Sequence, residues 1–319
     1  MKKKYRNGLL FLFGIFVLWY LAYYIGYGEI VNSFKEFEIL FLPLVVLSIF
    51  VTKFIFGLNI WILTRYYKKI KFLKVVKYGF FTMFFAPFFP AKISDLLMAF
   101  YLRKDKLESS QSFTLVFVDK IISLLLKIGL AFLAIFIFID EFNVLVVLSP
   151  FILIFGLILF FYALKPSKIR SLFTKYILRK YAKNVEGFSD TFKDFLKENK
   201  KGIFYNFLIS IPKVMSDAFL FYILFLSFGE RTNFFIVLIM LSLLSIITFV
   251  AAPAGIFGIG TREAAFVIVF GLIGLDKAVV FNSAILRLVI VFTINLFTLM
   301  IYKGQINLLK KVDFVKNRS

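Results

Sequence analysis

Apolar runs long enough to cross a bilayer recur from one end of this chain to the other, which leaves helix as the only backbone open to most of it. A span takes ~20 apolar residues. Inside lipid no water satisfies the peptide N–H and C=O groups, so each run must close its own hydrogen bonds. Of the 319 residues 61% are hydrophobic, and Phe alone supplies 47, well above the roughly half expected of a soluble domain. The sequence predicts an all-α, polytopic transmembrane helix bundle. About six full spans are read, at Gly8–Tyr27, Ile39–Leu63, Ser112–Ile139, Val144–Leu164, Ile203–Phe228 and Ala278–Tyr302. Two further apolar regions, Val75–Leu102 and Phe234–Leu275, are each broken by proline or glycine followed by charge.

The 39 Lys and Arg against 18 Asp and Glu give a net charge of +21. Such an excess invites a nucleic-acid reading, but the cations are placed otherwise. They gather in Lys2 to Arg6, Arg65 to Lys77, Arg103 to Lys106, the long stretch Lys165 to Lys201, and the C-terminal tail. The intervening segments around Glu29 to Glu38, Asp140-Glu141, Gly229 to Asn233 and Asp276-Lys277 are acidic or sparsely charged. The positive-inside rule then predicts a multi-pass cell-membrane protein with cytoplasmic N- and C-termini and no nucleic-acid partner.

Basic segments flank Val75–Leu102 on both sides, so that region should enter from the cytoplasm and return. Acidic loops flank Phe234–Leu275, which should enter from outside and return; a full span by Phe234–Ala252 is the alternative. The order span, span, hairpin, span, repeated in opposite orientation, is an inverted repeat with its site near the midplane. One integral domain, 1–319, is expected: a first half at 1–140, a second half at 141–164 and 202–303, a basic cytoplasmic loop at 165–201, and a cytoplasmic tail at 304–319. Helical spacing of Phe173, Tyr176, Ile177 and Tyr181 in that loop suits a helix lying on anionic lipid. The apolar stretch after Arg6 exceeds a signal-peptide core and reads as an uncleaved first helix.

With neither Cys nor His in the chain, thiolate and imidazole chemistry and Cys/His metal sites are excluded. No catalytic residue, metal or cofactor is expected, and the chain is not read as an enzyme.

The two interruptions carry the candidate site. In each, the returning half-helix begins near mid-membrane, at Ala91–Asp95 and at Thr261–Glu263, where unpaired N–H groups and partial positive charge can hold an anion. Lys92 and Arg262 add full charges there, and Ser94 and Asp95 adjoin. Gly258 and Gly260, with Gly255, let the backbone approach a ligand, and Thr261 is placed as the N-cap. A phosphate headgroup fits such a pair of half-helix ends. Asp95 and Glu263 also serve the plainer purpose of stabilising helix starts. Asp119, Lys120 and Arg287 sit mid-segment and are read as cavity residues, with Lys127 close to Lys120 on the helical wheel and able to snorkel instead. Lys213 and Asp217, spaced i,i+4, are an intramembrane pair that can neutralise itself, whether for structure or for function.

At these residues the chain resembles the lysylphosphatidylglycerol synthase transmembrane-region family, which includes the flippase domain of bacterial multiple peptide resistance factors. The family pattern Pro-x-Arg-x-Gly-(Glu/Asp) is matched by Pro90 to Asp95, with Lys92 in place of Arg and Ser94 in place of Gly. A following Glu-Arg-like pair is matched by Asp119-Lys120, and Pro-x-Gly-x-x-Gly-x-x-Glu by Pro253 to Glu263. The resemblance implies a flippase-like protein that moves a phospholipid or lipid-linked anion between leaflets. In fused relatives a soluble domain aminoacylates phosphatidylglycerol. This chain shows no such domain, so aminoacyl transfer by it alone is not implied. Membrane lipids, anionic phospholipid first, are the expected partners. The alternatives are a non-catalytic subunit that anchors or regulates a separate lipid-modifying enzyme, and an intramembrane lipid transferase. Nothing in the sequence fixes an oligomeric state.

Overall fold

The structure is a computed structural model, and it describes residues 3–85, 97–138, 140, 142, 144–163, 187–251 and 260–301. The described residues are all-helical, as the hydropathy requires. The helices are α1 (Lys3–Ile25), α2 (Tyr27–Lys35), α3 (Leu42–Thr64, entered through a 3₁₀ turn at Ile39–Phe41), α4 (Phe72–Phe85), α5 (Leu97–Arg103), α6 (Ser109–Ile137), α7 (Val144–Ala163), α8 (Phe188–Glu198), α9 (Lys200–Ser227), α10 (Phe234–Ala251), α11 (Thr261–Leu272) and α12 (Lys277–Ile301). Four of these segments are long and apolar enough to cross a membrane, or five if the bent pair α1–α2 counts as one span. The sequence expectation is six; this count is of the described residues alone, and α7, 20 residues long, is not among the four.

Local sequence explains several boundaries. The amide of Glu108 donates to Gln111 Oε1 at 3.2 Å in a capping box that starts α6. Pro43 sits in the first turn of α3, where its missing N–H costs nothing. Gly26 takes φ +101° between α1 and α2, and there the chain bends by 84°.

Side-chain pairings give the helix directions. Thr52 meets Ser216 and Asn59 meets Ser210, so α3 and α9 are antiparallel. Asp119 meets Lys213 and Lys127 approaches Asp217, so α6 runs with α9. Tyr101 stacks on Tyr78 and Phe81, while Asp105 accepts from Tyr78 Oη at 2.9 Å and pairs with Lys74. That makes α4 and α5 a hairpin whose open ends lie beside the end of α3.

α10 and α11 form the second hairpin. Phe234 at the start of α10 packs on Phe219 and Tyr222, while Phe266 and Phe270 climb α11 alongside Phe221 and Phe225 of α9. Its open ends lie at the opposite end of the bundle from those of the first. Its described first arm, Phe234–Ala251, runs to the edge of the described residues, so the alternative of a full span stays open.

Two cores result. One joins α3, α4, α5 and α6 around Ile60, Leu63, Met98, Leu102 and Leu115. Phe188, Phe192 and Phe195 of α8 seal it, so this end of the basic loop docks on the bundle rather than lying on lipid. The expected lipid-facing helix at Phe173–Tyr181 falls outside the described residues. The second core joins α6, α9, α10, α11 and α12 around Phe225, Phe228, Leu243 and Phe270. Exposed Phe16, Phe136, Phe155, Phe204 and Phe297 clothe the outside, a surface that water would not tolerate over this area.

Candidate functional site

Between the two cores a band of polar side chains crosses the bundle interior. At one side α3, α6 and α9 meet. Asp119, ten residues and so ~15 Å into α6, has a side chain only 3% exposed. Lys213 Nζ donates to both its oxygens, at 3.0 and 2.9 Å, and Asn206 Nδ2 donates at 3.2 Å. Asn206 also donates to the carbonyl of Asn59, whose own Nδ2 donates to Ser210 Oγ. Lys213 and Lys53 each lie 5.5 Å from the centroid of the Phe56 ring. A charge in apolar surroundings is tolerable when it is paired and hydrogen-bonded, and Asp119 meets both conditions.

This corrects one sequence expectation. Lys213 and Asp217 share a face of α9 but do not neutralise each other; Lys213 goes to Asp119. Asp217 stands 3.9 Å from Lys127 of α6, which also donates to Ser245 of α10 at 3.1 Å. The reason is geometric. α6 runs parallel to α9 and offers an acid and a base on the facing side, so each member of the i,i+4 pair finds an opposite charge across the interface.

At the other side α9, α11 and α12 meet. Gly260 takes φ +94°, and a Cβ there would lie 2.1 Å from the carbonyl oxygen of Gly14 in α1. Only glycine meets both demands, and it brings α1 directly against the start of α11. Gly260, not Thr261, is therefore the N-cap; Thr261 is the first helical residue. The Gly260 amide donates to Glu263 Oε2 at 2.7 Å, and Arg262 donates to Glu263 Oε1 at 3.0 Å. Glu263 is 1% exposed while the Arg262 side chain is 45% exposed, so one face of the guanidinium is held and the rest stays open. Arg287 of α12 lies 5.3 Å from the Phe221 ring and within the electrostatic reach of Arg262, Asp217 and Glu263. Asp217 is 34% exposed.

The structure thus brings Asp119, Lys213 and Lys127 with Asp217 onto the α6–α9 interface, and Gly260, Thr261, Arg262, Glu263 and Arg287 around the start of α11. Lys120, half-buried, shares α6 but not the Asp119 direction. Lys92, Ser94, Asp95 and Gly258 lie outside the described residues. Sequence reasoning missed Asn59, Asn206, Ser210, Thr52, Ser216 and Ser245, because a search for charge passes over amides and hydroxyls. The available signal is uncharged polar residues inside spans, which membrane helices use to bind one another.

Around the start of α11, Arg262 and Arg287 stand with Asp217 and Glu263, and the Arg262 guanidinium is the open group among them. Such a cluster can take up an anion through the free guanidinium N–H groups. A family model described as the lysylphosphatidylglycerol synthase TM region matches residues 8–298, and the chain belongs to that family. No curated protein and no solved structure matches it. Together with the apolar helices, the family makes this a multi-pass membrane protein of lipid-related function.

Proposed function

We propose that the protein binds the phosphate of an anionic phospholipid, or of a lipid-linked anion, at the Arg262–Arg287 cluster and carries it between leaflets. The observation that supports this most is the partly open Arg262 guanidinium at the start of α11, with Arg287 nearby. Charges at such depth are costly and mark substrate paths by default. The open group is a guanidinium, which selects an anion, and arginine grips phosphate with two parallel hydrogen bonds. Asp217 and Glu263 keep the empty cluster from repelling itself. They can also meet a cationic group on the same headgroup. Hairpins opening to opposite ends of the bundle suit a mechanism in which one half rocks against the other around a central site. No chemical conversion of the lipid is part of this proposal.

The test is a liposome assay with headgroup-labelled phospholipids, comparing wild type with Arg262→Gln and Arg287→Gln. Each loses a charge-assisted hydrogen bond of roughly 1.5–3 kcal/mol, so transport should fall by about tenfold or more while both variants keep the wild-type gel-filtration profile. Wild-type rates in both variants would overturn the reading. Absence of movement by folded wild type with every anionic lipid, restored on adding a copurifying enzyme, would favour the anchoring subunit instead.

A further inference from the structure

α2 is nine residues long and turns 84° from α1, and its surface divides into three sectors. Ile30 and Ser33 face the bundle, where Asn282 Nδ2 of α12 donates to the carbonyl of Ile30 at 2.9 Å. Phe34 extends the contact, meeting Phe228 edge-on at 5.5 Å. Beside that sector Tyr27, Val31 and Phe34, spaced i, i+4, i+7, fall within ~60° of one another on the helix. They are nonetheless exposed, at 55%, 53% and 43%. The remaining face carries Glu29, Asn32 and Lys35, with Glu36 just beyond the end, all exposed.

An exposed apolar stripe on a helix otherwise held to the protein needs a third surface to cover it. The neighbouring residues say which. Before the 84° bend, Trp19, Tyr20, Tyr23 and Tyr24 of α1 are all more than half exposed, and after α2 so are Ile39 and Leu40. The stripe therefore continues a belt of exposed apolar and aromatic side chains on both sides. Tyr and Trp gather where a bilayer's hydrocarbon gives way to its headgroups.

From this we infer that α2 lies in the plane of the membrane interface, with Tyr27, Val31 and Phe34 inserted among lipid acyl chains and Glu29, Asn32 and Glu36 in water. Lipid is the covering surface, and the leaflet is the one opposite the basic segments, since this face is acidic. The hydrogen bond from Asn282 and the bend at Gly26 fix the helix at this depth. The inference does not depend on lipid transport.

The chain has no cysteine, so single-cysteine variants can test the sectors directly. Val31→Cys, Phe34→Cys, Glu29→Cys and Asn32→Cys would each carry an environment-sensitive fluorophore in phosphatidylcholine liposomes. A phospholipid bearing a nitroxide high on its acyl chain should quench labels at 31 and 34 at least ~3-fold more than those at 29 and 32, with iodide showing the reverse order. Equal quenching of all four by iodide would overturn the inference. So would labels at 31 and 34 shielded from both quenchers, since a protein surface such as a second copy would then cover the stripe. If Phe34→Cys fails gel filtration, Tyr27→Cys replaces it.

Discussion

Two groups of charge inside one apolar bundle are built to different standards. Around Asp119 the carboxylate is buried, both oxygens accept from Lys213, and an asparagine completes its shell. Around Arg262 the guanidinium is nearly half exposed and donates to Glu263 Oε1 at 3.0 Å. Both lie on apolar helices, so composition does not separate them. Saturation does. A closed ion pair has its charges matched out of solvent and holds helices together; an exposed guanidinium has N–H groups left to give a ligand. Asp119, a site candidate by sequence, belongs on this argument with the structural charges.

That contrast can be broken by substitution. The largest effect is expected for Asp119→Ala, which leaves Lys213 buried without its acid. Removing one partner of such a pair costs ~3–5 kcal/mol, whereas replacing both by apolar side chains is often neutral. Thermal unfolding in detergent should therefore show a large loss for Asp119→Ala and recovery in Asp119→Leu/Lys213→Leu. If the single variant melts like wild type, the pair holds nothing together.

Gly260→Ala comes next. Its Cβ would meet the Gly14 carbonyl at a φ that costs a non-glycine residue ~1–3 kcal/mol. The expected loss is at least ~2 kcal/mol on the same assay, together with weakened transport, because α1 must shift from the start of α11. The smallest stability effect is expected for Asp217→Asn, below ~1 kcal/mol, given its long, partly exposed contact with Lys127. A loss as large as that of Asp119→Ala would mean that the two groups are not different in kind.

Much of the fold was legible in the sequence because lipid leaves so few options. Apolar length gave the helices. The prediction of Ser112–Ile139 became Ser109–Ile137 and that of Ile203–Phe228 became Lys200–Ser227. Charge on either side of Val75–Leu102 anticipated the hairpin of α4 and α5. The bend at Gly26 was not anticipated, because the charged residues from Glu29 on read as a loop after the first span; the helix there and its turn at one glycine left no hydropathy signal. The site was less legible. Glu263 and Arg262 stood out as charges after glycines, but the N-cap was misplaced because the contact with Gly14 spans most of the sequence. Pairing failed for the same reason: the helical spacing of Lys213 and Asp217 is a local property, whereas the carboxylate of Asp119 arrives from another helix. Asn59 and Asn206 carry no charge and gave no local signal.

The most direct test of the difference between the groups is transbilayer movement of a headgroup-labelled anionic phospholipid in liposomes, comparing Asp119→Leu/Lys213→Leu with Arg262→Gln. The account predicts that the double variant moves lipid at close to the wild-type rate while Arg262→Gln loses about tenfold or more. Loss in the folded double variant with retention in Arg262→Gln would contradict it and place the site on the closed pair instead.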